Sequence, residues 1–323
     1  TSKLVPLPAQ ATKRPRPFAD CCPLPNFDHH LDTLRRMAAG PQLDAATVLL
    51  QWATGGLLFC WVTTRRREVG SGYGWLLRAS YSAIAALAAI AGYGWASDPI
   101  RDAASIGVAA VAAFTLSLSV VRRRVGVSAE KTLQHEFTQA NVDWTETGPN
   151  LHHDDHSGTE FDPRWDLGAP IIGLIGLIAA GLSGGGNELL QTARILVGAA
   201  FLGAVTDAML LGHWYLVQPG LRREPLLEQV SWLGKIWPLE VSLLLFPTGM
   251  WSVLSGAIDD GYGGMLGWFW VACALMTIVL ILVTRAALRE RQYAAVMAAT
   301  GLLYLAILTA FGTDLIARLV LEI

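Results

Sequence analysis

Long apolar stretches constrain this sequence more than any other feature. Each one approaches or exceeds the roughly 20 residues that a helix needs to cross about 30 Å of hydrocarbon. Only 15% of the residues are charged, whereas soluble domains carry about 25%. The sequence therefore predicts an all-α integral membrane protein, a bundle of about eight transmembrane helices. We place these helices near residues 44–64, 75–97, 103–121, 168–186, 191–217, 229–255, 263–284 and 293–320.

Polar segments divide the chain into four predicted parts. The first is an extramembrane N-terminal tail, which its prolines make partly irregular because proline cannot continue a helix. One long connection separates the first three helices from the last five. The parts are the tail 1–42, transmembrane helices 1–3 within 43–121, an extramembrane loop over 122–167, and transmembrane helices 4–8 within 168–323.

Basic residues fall mainly in the loops that follow the odd-numbered helices. Cytoplasmic loops carry an excess of Lys and Arg, so these loops are predicted to be cytoplasmic and both ends of the chain to lie outside. The tail is also basic, and a half-length or re-entrant helix would instead keep it inside. We favour the arrangement indicated by the loops, in the cytoplasmic (inner) membrane of a bacterium.

The fifth helix carries the most informative polar residues. Asp207 lies near the middle of an apolar stretch, where an aspartate costs about 2.5–3.5 kcal/mol unless it faces protein or water. His213, Trp214 and Tyr215 follow near the end of the helix, and Trp214 shares a helical face with Asp207. We expect Asp207 and His213 to serve proton transfer, and residues 213–215 to bind a quinone headgroup.

Two other interpretations of His213 remain open. Haem between helices usually takes two axial histidines, and His213 is the only histidine in or beside a predicted helix, so haem would need a ligand from another subunit. The cluster 213–215 is also typical of the aromatic belt at a membrane interface, where amphipathic rings favour the headgroup region.

Two further carboxylates fall within predicted helices. Glu240 shares the sixth helix with Pro238 and Pro247, and prolines free backbone carbonyl groups and bend a helix. This pattern predicts a polar track that includes Glu240. Alternatively the carboxylates pair with Arg194, Lys235 or Arg318 and only fasten the helices together. For Asp314 the ion pair is favoured, because Arg318 follows one turn later.

The long loop contains a dense group of potential metal ligands. Imidazoles and carboxylates bind transition metals well, so this group is predicted to hold one. A solvated acidic loop without metal is the alternative. The predicted ligands are His152, His153, Asp154 and His156.

Several functions are excluded or disfavoured. The net charge of −2 and the absence of a basic face argue against a nucleic-acid partner. The sequence also lacks a phosphate-binding loop, a zinc-protease motif, a nucleophile elbow and a dinucleotide fingerprint. The expected partners are other membrane-protein subunits and the lipid bilayer.

These observations favour one function over two others. The chain is similar, in architecture alone, to quinone-reactive membrane subunits of respiratory complexes. We therefore expect an integral membrane subunit of a respiratory or other redox electron-transfer complex, with a quinone-binding pocket, a proton path or both. A secondary transporter or channel that uses intramembrane carboxylates is the first alternative. A non-catalytic scaffold or assembly protein is the second.

Overall fold

Helices form nearly all of the chain that the structure describes. The computed structural model describes residues 44–66, 68–95, 97–122, 162–183, 187–218, 221, 223–247, 249–290 and 292–321. The helices are α1 Ala45–Thr64, α2 Ser71–Trp95, α3 Pro99–Val121, α4 Gly168–Ser183, α5 Glu188–Val217, α6 Glu224–Leu245, α7 Met250–Leu254, α8 Met265–Arg289 and α9 Tyr293–Leu321. A 3₁₀ helix, Pro163–Leu167, precedes α4. The described residues contain no strand, which confirms the all-helical prediction for them.

Seven helices are long and apolar enough to cross a membrane, judged by length and composition. They are α1, α2, α3, α4 with its 3₁₀ turn, α5, α8 and α9. The third helix begins at Pro99 rather than at 103, because Asp98 caps it and Pro99 occupies its first turn.

The prediction for the sixth helix was wrong in its extent. A continuous helix over 229–255 was expected, but α6 ends at Leu245 and the short helix α7 follows separately. Pro247 has no backbone N–H and disfavours helical geometry in the residue before it. Phe246 is accordingly extended, with φ −127° and ψ 159°.

Helix α6 nevertheless runs the full height of the bundle. Near its start, the side chain of Gln229 donates to the carbonyl of Phe59, 3.2 Å away, close to the end of α1. Near its end, Nε of Arg194 donates to the carbonyl of Leu243 at 2.8 Å, close to the start of α5. Its four charged residues make it less apolar than the other long helices. It is not among the helices that are long and apolar enough to cross a membrane, so the eighth predicted crossing stays a prediction.

Contacts between helix ends define two ends of the bundle. At the first, which we call the basic end, Arg65 pairs with Glu228. At the second, the acidic end, the hydroxyl of Ser183 donates to Asp98 at 3.0 Å and Arg101 pairs with Asp44 at 2.6 Å. Consecutive long helices therefore run antiparallel.

Arginines differ in exposure between the two ends. At the acidic end, Arg101, Arg194 and Arg318 are all buried. Several arginines at the basic end reach the surface, among them Arg66, at 51% side-chain exposure, although Arg78 near the same end is buried. Exposed positive charge in the described helices thus concentrates at one end, which is the asymmetry that the positive-inside rule requires.

Side-chain carboxylates fix the backbone at the acidic end. Asp260 accepts hydrogen bonds from the N–H groups of Gly264 at 2.8 Å, Tyr262 at 3.0 Å and Leu266 at 2.9 Å. These bonds favour the ionised carboxylate and hold the pKa of Asp260 below its ordinary value. They connect the loop after α7 to the start of α8.

The outer surface of the bundle is apolar and its interior holds polar groups. Large apolar side chains are more than half exposed on several helices, for example Ile90 at 66% and Leu308 at 69%. Meanwhile Asp207, Glu240 and Asp314 are fully buried. A soluble protein arranges these groups the other way round.

Labelling of single cysteines will test the orientation of the two ends. In a variant in which the four native cysteines are replaced, we expect Cys at 187 or 259 to react with an impermeant reagent added outside. Cys at 70 or 292 should remain unlabelled until the membrane is opened, because the basic end is expected to face the cytoplasm. Equal reactivity at all four positions, or the reverse pattern, would contradict this topology.

Candidate functional site

Asp207 lies in the interior of the bundle with a tyrosine as its partner. It is fully buried in the described structure, and the hydroxyl of Tyr81 in α2 donates to its Oδ1. Its other oxygen, Oδ2, receives no hydrogen bond from the described residues. A buried carboxylate with an unfilled oxygen is costly unless a proton, a water molecule or another group supplies the missing bond.

Tyr73 connects Asp207 to the basic end of the bundle. Its hydroxyl donates to the backbone carbonyl of Asp207 at 3.2 Å. Its ring packs against Trp214, with the ring centroids 6.0 Å apart, and the indole N–H of Trp214 donates to Gln218 at 3.1 Å. Asp207 and Trp214 therefore share one face of α5 and one neighbour, as the helical wheel indicated.

The structure separates the three residues of the predicted quinone cluster. Tyr215 is buried, Trp214 is half-buried, and His213 is exposed on the outer surface. Nδ1 of His213 lies 3.2 Å from the hydroxyl of Tyr304 in α9, within hydrogen-bond distance. The side chains of Asp207 and His213 thus face different neighbours, although both residues belong to α5.

A second polar cluster lies near the acidic end, between α1, α5, α6 and α9. Nε of Arg318 donates to Oδ2 of Asp314 at 2.8 Å, and both side chains are fully buried. The predicted Asp314–Arg318 pair is therefore confirmed. The buried carboxyl group of Glu240 lies in the same cluster, near enough to Asp314 and Arg194 for their charges to act on it. Lys235 instead extends over the ring of Trp232, 4.9 Å from its centroid.

Gly198 allows this second cluster to close around α5. A methyl group on Gly198 would lie 2.9 Å from Nη2 of Arg318, from Oδ1 of Asp314 and from Nε2 of Gln51. Three polar side chains therefore converge on one point beside the backbone of α5. Gln51 Nε2 also donates to the carbonyl of Ile195 at 2.6 Å.

Several polar atoms of the second cluster have no hydrogen-bond partner among the described residues. In most proteins such atoms are rare in the interior, and each one calls for a proton, water or ligand. The atoms are Nη1 and Nη2 of Arg318, Oδ1 of Asp314, both carboxylate oxygens of Glu240, and Oε1 of Gln51.

The two buried clusters are well separated. Asp207 and Gly198 are nine residues apart on α5, which corresponds to about 14 Å along the helix axis and to opposite helical faces. A close approach of α1 and α5, at Gly55 and Gly203, lies between them. Proton exchange between the clusters would therefore require intervening water.

Sequence reasoning missed the tyrosines that contact Asp207. Tyr73 and Tyr81 are buried in α2, on either side of the buried Arg78. A buried tyrosine usually finds a hydrogen-bond partner, so these residues were a usable signal. The sequence did not indicate that their partner would be in α5.

The predicted metal ligands His152, His153, Asp154 and His156 lie outside the described residues. Within the part that the structure does describe, no group of three or more His, Cys, Asp or Glu side chains is arranged to hold a metal ion. The metal site in the loop therefore stays a prediction.

Comparison with known proteins gives no relative from which a function can be transferred. No protein-family model, no curated protein and no solved structure matches this chain.

Proposed function

We propose that this chain is an integral membrane subunit of a redox complex, in which it takes part in proton transfer. Seven apolar helices and an apolar outer surface support its placement in a membrane. The distribution of basic residues supports the proposed orientation, and we place the chain in the bacterial inner membrane as part of the same proposal.

One observation carries the proton-transfer role: the environment of Asp207. Its carboxylate is fully buried, bonded to Tyr81 through Oδ1, and without a partner at Oδ2. Oδ2 can accept a proton from a hydronium ion that reaches it through water, which forms an O–H bond, neutralises the carboxylate and leaves a neutral water molecule. The Tyr81 hydroxyl stabilises the ionised form when the proton leaves. Reversible protonation of a buried group is what a proton path needs.

We assign the quinone role to the exposed pair of His213 and Tyr304 rather than to residues 213–215 as a unit. His213 and Tyr304 form an exposed polar pair on adjoining helices. An imidazole and a phenol can both donate to a quinone carbonyl. A quinone diffusing in the lipid can reach an exposed pair without entering the bundle. Trp214 packs against Tyr73, whose hydroxyl donates to the backbone carbonyl of Asp207.

Replacing Asp207 with asparagine tests the proposed function. Asp207→Asn keeps the shape of the side chain but removes the exchangeable proton. We expect quinone-linked turnover per assembled complex to fall at least about tenfold, which corresponds to about 1.4 kcal/mol of barrier. The measurement is quinol oxidation by complex purified from native membranes through a tag on this chain.

Glu188→Gln provides the matched control for this variant. It makes the same carboxylate-to-amide change on the same helix, at an exposed position in the first turn, and it should leave turnover unchanged. Normal turnover of Asp207→Asn would contradict the proposal. Loss of assembled protein, with normal turnover in what remains, would assign Asp207 a structural role.

A secondary transporter is the second candidate, and the end of α6 favours it. Interrupted helices at buried charged groups form the binding sites of many transporters, and α6 ends five residues after Glu240. Purified chain in vesicles, with a trapped pH dye and an imposed potassium potential, separates the two candidates. Proton flux without any electron donor would favour the transporter.

A further inference from the structure

We propose that Glu240 and Asp314 form a second proton-binding site, in which the two carboxyl groups hold one proton between them. The site lies at the acidic end of the bundle, about 14 Å along α5 from Asp207. Its role as the exit or entry group of a proton path rests on the function proposed above. The shared proton depends only on the local geometry of the two carboxyl groups.

The buried position of Glu240 is the first reason for this assignment. Its side chain is fully buried, and no donor in the described part of the chain reaches either carboxylate oxygen. An ionised carboxylate in this position would lose its hydration without replacement, at a cost of several kcal/mol. A protonated carboxyl group avoids most of that cost and gains one O–H donor.

Asp314 provides the acceptor that such a donor needs. Its Oδ2 accepts from Nε of Arg318 at 2.8 Å, while Oδ1 receives nothing from the described residues. Glu240 lies beside Asp314 in this cluster, near enough for the two carboxyl groups to act on each other. One proton on Glu240 therefore gives Oδ1 of Asp314 the donor that it lacks, because the O–H group of Glu240 can donate to that oxygen. Neighbouring carboxyl groups elsewhere also share a proton, since two like charges disfavour each other.

The surrounding charges determine which residue carries the proton. Arg318 pairs with Asp314 and stabilises its ionised form. The positive charge of Arg194 lies near Glu240, and Nε of Arg194 donates to the carbonyl of Leu243 at the end of α6. The negative charge of Asp44, which precedes α1 at the same end of the bundle, attracts the positive charge of Arg318. The proton therefore resides mainly on Glu240, while Asp314 stays ionised against Arg318.

This assignment predicts opposite effects for two chemically similar variants. Glu240→Gln replaces a neutral carboxyl group with a neutral amide that can still donate to Asp314, so the thermal midpoint should not fall. Asp314→Asn leaves Arg318 buried without its anion, so the midpoint should fall clearly. A role of Glu240 as an ionised partner of Arg194 or Arg318 predicts instead that both variants lose stability.

Infrared spectroscopy of the purified chain tests the proton directly. At neutral pH, the difference between wild type and Glu240→Gln should show the loss of one protonated carboxyl group, with a band that shifts in D₂O. Asp314→Asn should shift this band through its altered hydrogen bond, and Asp207→Asn should leave it in place.

An absent carboxyl band in the Glu240→Gln difference spectrum would overturn the shared proton. The result does not depend on the redox proposal, since no electron donor, quinone or flux is involved. Normal turnover of Asp207→Asn together with a clear Glu240 band would remove the proposed function and keep this site. Gly198→Ala supplies a further check, because its methyl group would displace the side chains of Arg318 and Asp314 and should shift the same band.

Discussion

Arg78→Met should cost about 3–5 kcal/mol of stability, because it leaves a buried carboxylate without its partner. Nε and Nη2 of Arg78 donate to Oδ1 and Oδ2 of Asp166 at 2.8 and 2.6 Å. The two side chains are only 4% and 3% exposed. This bidentate pair fastens α2 to the 3₁₀ turn before α4. The measurement is thermal unfolding of purified protein in a mild detergent.

A double variant distinguishes the ion pair from a simple packing defect. In Arg78→Met with Asp166→Leu, no buried charge remains unpaired, so most of the lost stability should return. Arg66→Met is the matched control, since the side chain of Arg66 is 51% exposed and exposed ion pairs contribute about 0–1 kcal/mol. Equal losses in Arg78→Met and Arg66→Met would contradict the buried pair.

The helices were predictable from the sequence because each long apolar stretch carries its own signal. Length and hydropathy locate α5 without knowledge of its neighbours. The Asp314–Arg318 pair was predictable for the same reason, since both residues lie on one helix at a spacing of four. The interruption of α6 was only partly predictable. Pro247 indicated a bend, but the sequence did not show that the helix would end there.

Contacts between helices were much harder to predict. Arg78 falls near the start of the predicted second helix, where the sequence indicates no partner for it, yet it is buried against Asp166. Tyr81 was not assigned to any site, although it is the partner of Asp207. In both cases the partner is more than 80 residues away in sequence. One sequence contains helical periodicity, but it does not specify which faces of different helices meet.

The crossing of α1 and α5 carries the other large expected effect. A methyl group on Gly203 would lie 2.2 Å from the backbone carbon of Gly55. Real Cβ atoms do not approach backbone so closely, and neither backbone can move without separating two central helices. We expect Gly203→Ala to destabilise the protein by at least about 1–3 kcal/mol, the usual cost of overpacking, in thermal unfolding of purified protein in a mild detergent.

Gly301→Ala is the control that makes this prediction specific. Gly301 lies inside α9, and a methyl group there would meet no atom of the described chain within 4 Å. Alanine favours a helix interior over glycine by about 0.5–1 kcal/mol, so this variant should be equal to wild type or more stable. The same substitution is thus expected to act in opposite directions on two helices. Helices α1 and α5 are the most enclosed of the seven apolar helices, with 72% of each apolar stretch buried. If Gly203→Ala and Gly301→Ala behaved alike, these two helices would not form the tightly packed centre between the two carboxylate clusters.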